Sequence, residues 1–113
     1  MSQVARPSSQ VVNGLHVSPG ELEIVAGILR KRVAGRRVWA FGSRATGKRL
    51  KRFSDLDLAV EGTLTWEEAT ALAADFDESP LPFKVDVVEV GKLDAGFRER
   101  IEGDFVEVHK SRN

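Results

Sequence analysis

The sequence predicts an α/β protein (α+β in the wider sense): a small mixed sheet of three or four strands flanked by about four helices. Three observations predict it. Apolar residues recur at helical spacing after Ser18 and again after Thr65. Residues 37–41, 55–60 and 83–90 have the length and apolar content of strands. Helix and strand signals alternate along the chain with no repeat and no internal linker, as in one layered unit.

Each element has its own signal. Residues 1–17, polar and interrupted by proline and serine, read as a flexible lead-in, and residues 18–113 as one domain. Ser18-Pro19-Gly20-Glu21 opens a helix with a serine N-cap, proline in the first turn and a capping-box glutamate. Leu22, Val25, Leu29 and Val33 form its apolar stripe, Ile28 widens it, and Gly35 is expected to end it. Arg37 to Phe41 reads as a buried strand running directly into Gly42-Ser43. A short helical turn and a basic loop follow, then a strand from Asp55 to Val60. Thr65-Trp66-Glu67-Glu68 repeats the capping box ahead of Ala69, Leu72, Ala73 and Phe76, and Pro80 and Pro82 stop that helix. Phe83 to Val90 is the third strand. Asp94 caps a last helix that buries Phe97 and Ile101 and ends at Gly103. Phe105, Val106 and Val108 add a short edge strand.

Composition narrows the function. A hydrophobic fraction of 42% with 30% charged residues is that of a folded domain rather than a disordered chain. Without cysteine there is no disulfide and no thiolate chemistry, which fits a reducing cytoplasm. No stretch has the apolar length of a signal peptide core or a membrane span, so a cytoplasmic location and no membrane partner are expected. Charge is balanced overall but segregated: residues 30–52 hold ten of the seventeen basic side chains and no acid, and the acids dominate from Asp55 onward. That arrangement suits an anionic ligand that also carries metal, or simply a solvated basic face.

Three motifs carry the chemistry. Gly42-Ser43 joins a strand to a helical start, where a glycine admits a bulky anion close to free backbone N–H groups and the serine adds a donor; such pairs also mark ordinary turns. Asp55 and Asp57, two apart on a strand, point to one face, where two like charges call for a cation; an exposed strand face would look the same. Oxygen-only ligands favour Mg²⁺ or Mn²⁺ over zinc. Asp86 lies in Val85-Asp86-Val87-Val88, a run suited to an interior strand, where a carboxylate needs a metal, a basic partner or water.

Together, Trp39-Ala-Phe-Gly-Ser-Arg-Ala-Thr-Gly, Phe53-Ser-Asp-Leu-Asp-Leu-Ala-Val and Val85-Asp-Val-Val-Glu-Val resemble the DNA polymerase β-like nucleotidyltransferase superfamily. More closely, the sequence looks like the minimal nucleotidyltransferases of prokaryotic HEPN–MNT toxin–antitoxin pairs, from about Ser18 to Val108. The resemblance implies the nucleotidyltransferase fold and an ATP- and metal-dependent enzyme using two Mg²⁺ or Mn²⁺ ions. Gly42 and Ser43 would hold the triphosphate; in the implied mechanism Arg44 and Lys48 would neutralise charge developing on it, or either would stand solvated. Asp55, Asp57 and Asp86 would be the catalytic metal ligands, with Asp86 also helping to activate the incoming hydroxyl. Eleven residues, 44–54, separate Ser43 from Asp55, slightly more than in many members, and a basic loop can absorb the extra length.

The resemblance further implies transfer of a nucleoside monophosphate, AMP from ATP in the first instance, to a hydroxyl on a HEPN-type helical partner. The chain has little beyond the catalytic core with which to grip a large acceptor, so a second protein and a homo- or hetero-oligomer are expected. The alternative is a non-catalytic antitoxin or nucleotide sensor acting by contact. Nucleic-acid binding is disfavoured by zero net charge and the absence of an aromatic-interleaved basic platform.

Overall fold

The capping boxes read from the sequence form as expected in the computed structural model, which describes residues 10–111. Helix α1 (Pro19–Arg32) is capped by Ser18, whose side chain accepts from the Glu21 N–H while the Glu21 carboxylate accepts from the Ser18 N–H. Helix α3 (Trp66–Glu78) repeats this with Thr65 and Glu68. These pairs satisfy N–H groups that a helix start otherwise leaves without acceptors. Helix α1 stops at Arg32 rather than running to Gly35, because Val33 turns out of helical geometry and buries its side chain in the core.

Four strands, β1 (Val38–Phe41), β2 (Leu56–Val60), β3 (Val85–Glu89) and β4 (Val106–His109), form one mixed sheet in the order β3-β2-β1-β4. Strand β1 pairs antiparallel with β2 and β4, and β2 pairs parallel with β3. The parallel pair needs a crossover, which α3 supplies. The turn α2 (Ser43–Thr46) follows β1, and α4 (Ala95–Glu102), capped by Asp94, lies between β3 and β4. This is the predicted α+β architecture.

Alternation along the strands divides the core in two. On one face Val38, Ala40, Leu56, Leu58 and Val60 pack with Val25 and Leu29 of α1 and Leu72 and Phe76 of α3. On the other, Phe41, Ala59 and Val90 meet Ile101 of α4, with Trp39 stacked on Phe105 at 5.0 Å. A paired Arg32 and Asp75, 2.6 Å apart, ties α1 to α3.

Two expectations are corrected here. The flexible lead-in does not extend to residue 17: Leu15 and Val17 are fully buried in the first core, so the packed unit begins ahead of Ser18. Residues 1–9 of that lead-in lie outside the described residues. Strand β3 is an edge strand rather than an interior one, which leaves Asp86 exposed at the sheet margin. No helix among the described residues is long and apolar enough to cross a membrane.

Candidate active site

Strand β1 ends at Phe41, and the chain reverses at Gly42 with φ +79°, a conformation that strains any side-chain-bearing residue. Space imposes the same requirement, since a Cβ at Gly42 would stand 2.5 Å from Asp57 Oδ2. The Gly42 carbonyl accepts the Ala45 and Thr46 N–H groups, which curls residues 43–46 into α2. This helix is a single turn, so any anion there would meet local amides and the Ser43 hydroxyl rather than the dipole of a long helix.

The close approach of Asp57 to Gly42 follows from the sheet register. Phe41 pairs with Asp57 across β1 and β2, and Asp57 pairs with Asp86 across β2 and β3. Register partners share a face, so the Asp57 and Asp86 side chains stand on the α4 side of the sheet, with Asp57 beside the Gly42 turn. Asp55 lies one residue ahead of β2 rather than within it and is exposed. The electrostatics match this placement. The Asp57 carboxyl is pushed up from 3.8 to about 6, first by burial, then by the charges of Asp86 and Asp55. Of the three carboxylates expected to converge, Asp57 and Asp86 are in register, and Asp55 acts on Asp57 through its charge. Among the described residues no group of three or more histidine, cysteine, aspartate or glutamate side chains is gathered closely enough to hold a metal ion. The donor set is nevertheless all oxygen and carries excess negative charge, which fits a hard divalent cation better than zinc.

The basic residues divide differently from expectation. Arg44 is 2% exposed and does not offer itself to a nucleotide. Its Nε donates to the Ser54 carbonyl at 2.8 Å, Nη1 to that of His16 at 2.8 Å and Nη2 to that of Arg52 at 3.0 Å, and the guanidinium lies 4.0 Å from the centre of the Phe83 ring. Burial pulls its pKa down from the ordinary arginine value, against the opposing charges of Glu21 and Asp55. The sequence reading gave Arg44 the role of neutralising charge on the triphosphate or else a solvated position; the structure turns it inward. Arg32, Arg36 and Arg37 are also engaged within the fold, with Asp75, Glu68 and Glu107. Lys48, Arg49, Lys51 and Arg52 remain exposed on the loop between α2 and β2. His16 and Phe83, unremarkable in the sequence, thus frame the site from behind. The one available signal was Gly47, whose φ of +79° and Cβ position 2.9 Å from the His16 ring demand glycine.

Comparison with known proteins bears on the family and the fold. Residues 22–108 match the nucleotidyltransferase domain family. The chain is 40% identical over 98 residues to a probable protein adenylyltransferase, MntA, of Haemophilus influenzae, covering 85% of each chain. Among solved structures, one described as the crystal structure of the toxin-antitoxin with AMP-PNP superposes with a TM-score of 0.58 at 22% identity, over 80% of this chain and 74% of that one. At that identity the likeness bears on the fold alone.

Proposed function

This chain belongs to the nucleotidyltransferase domain family, and on that premise we propose that it transfers AMP from ATP to a hydroxyl of a partner protein, as the antitoxin of a HEPN-type toxin–antitoxin pair. The observation that carries the reading is the placement of Asp57: in register with Asp86, its pKa raised first by burial and then by the charges of Asp86 and Asp55, and so close to Gly42 that no Cβ fits between them. A triphosphate cradle and a carboxylate pair share one end of the sheet. The 40% identity to a probable protein adenylyltransferase supports the adenylyl group and a protein acceptor. The toxin–antitoxin neighbour is compatible with the partner and the nucleotide.

In this reading Gly42 and Ser43 receive the triphosphate, and Lys48, exposed on the loop, neutralises charge on the leaving phosphates. Asp55, Asp57 and Asp86 would hold Mg²⁺ or Mn²⁺. Two such ions would supply positive charge to offset the triphosphate and would make the attacking hydroxyl more acidic. The acceptor oxygen bonds to the α-phosphorus, the bond to the β-phosphate oxygen breaks, and pyrophosphate leaves. The hydroxyl proton passes toward Asp86, which at the open edge of the sheet can be reached by a hydroxyl on another protein.

Incubation with labelled ATP, Mg²⁺ and the cognate helical partner tests this: label is expected on the partner with the wild-type chain and not with Asp57→Asn. An unmodified partner under every nucleotide and metal tried, with its toxicity still suppressed, would replace this reading with an antitoxin that acts by contact.

A further inference from the structure

Beyond the residues that would touch nucleotide or metal, we infer that Arg44 is a positioning residue: its buried guanidinium sets the Gly42-Ser43 cradle and the aspartate-bearing segments in one geometry. Four connections carry this. Arg44 follows Ser43 directly, so its backbone is part of the α2 turn. Its Nε holds the Ser54 carbonyl at 2.8 Å, and Ser54 directly precedes Asp55. Its planar face lies against Phe83, three residues before Asp86. Its Nη1 holds the His16 carbonyl, and its own carbonyl accepts the His16 N–H at 2.7 Å, so the segment before α1 closes the arrangement from behind.

The need for such a tie follows from the sheet. Only β2 and β3 carry the aspartates, whereas the cradle hangs from β1, and Asp55 lies outside the strand ladder. Between α2 and β2 the chain crosses a basic loop that includes Arg49 at φ +55°. Without a fixed point, that loop would let Asp55 drift relative to Ser43. A guanidinium is suited to the task because it is planar, remains charged and donates in several fixed directions. Lysine has the charge but cannot reach three carbonyls in those directions and lie flat on the Phe83 ring. A direct phosphate ligand would tolerate that exchange far better.

The inference rests on the nucleotidyltransferase reading, and its test separates the two. Wild type, Arg44→Lys and Arg32→Ala would be compared in three measurements: thermal melting, MgATP affinity, and amide hydrogen exchange without nucleotide. Arg32→Ala removes an ion pair between α1 and α3, away from the site, and serves as a variant that is destabilised only. Arg44→Lys is expected to melt cooperatively, to exchange faster at residues 54–57 and 83–86 than in α3, and to bind MgATP about tenfold more weakly or worse. Arg32→Ala is expected to melt lower yet bind MgATP as wild type does. Unchanged affinity and exchange in Arg44→Lys would overturn the inference. So would losses in the two variants that simply follow their melting temperatures. If Arg44→Lys does not fold, Phe83→Leu, which keeps the three carbonyl bonds and removes the ring, is judged by the same criteria with a smaller expected loss. Failure of the wild type to bind MgATP would overturn the nucleotidyltransferase reading, while the exchange measurement would still decide whether Arg44 orders the Asp55 segment.

Discussion

Asp57 is the residue at which fold and function pull against each other. Its carboxyl titrates near 6 in the folded chain against 3.8 when unfolded, so the folded state binds that proton more tightly. Stability contributed through Asp57 is therefore greatest below about pH 4 and is lost as pH rises through 6. Asp75 and Glu68, whose pKa values are lowered by Arg32 and by the Thr65 N–H respectively, act in the opposite sense at lower pH. The informative quantity is therefore the difference between wild type and Asp57→Asn. With EDTA at neutral pH, Asp57→Asn should be as stable as wild type or more so, by about 1 kcal/mol after allowance for solvent screening. That advantage should vanish near pH 4, and MgATP should no longer raise the variant's melting temperature. A variant that melts well below wild type in EDTA yet gains fully from MgATP would identify Asp57 as a structural aspartate. Gly42→Ala makes the complementary case: it strains a φ of +79° and drives a methyl group against the Asp57 carboxylate. A loss of roughly 1–3 kcal/mol in chemical denaturation is expected, together with loss of MgATP binding.

At the scale of elements, much of the molecule was legible because the determinants are local. Both capping boxes, the α4 cap at Asp94 and the strand periodicities form where residues a few positions apart dictate them. Ser18→Ala and Thr65→Ala should each cost about 1 kcal/mol in denaturant unfolding. Leu72→Ala, emptying a fully buried position on α3, should cost roughly 2–5 kcal/mol. What could not be read depended on partners far along the chain. The Asp86 segment is apolar enough for an interior strand, but strand order places it at the edge. Leu15 and Val17 sit among polar residues, and only the assembled core shows that they are buried. Arg44 looks like an anion ligand by its place after Ser43; its carbonyl partners at Ser54, Arg52 and His16 come from two other segments. The glycine and aspartates of the candidate site were visible as types and spacings. Their actual meeting, Asp57 against Gly42, required the β1–β2 register.

For the whole molecule, the segment before α1 is a structural member. It supplies two core side chains and the backbone that pairs with Arg44. A chain beginning at Ser18 should lose roughly 3–6 kcal/mol from the burial of Leu15 and Val17 alone, a large part of the stability a domain of this size possesses. A chain beginning at Gln10 keeps both. Melting the two side by side checks this, and equal stability would show that the segment packs without contributing.

The position of β4 has a consequence for synthesis. Its partner, β1, lies in the middle of the sheet, yet β4 leaves the ribosome after the other three described strands. Strand β1, which leads into Gly42, and the strands bearing Asp57 and Asp86 emerge earlier and can pair while β1 still has one open edge. During that interval Trp39 lacks Phe105, and an unpaired apolar strand is open to neighbouring nascent chains. The growing chain is therefore most vulnerable to misassembly after its site-bearing strands have emerged and before β4 does.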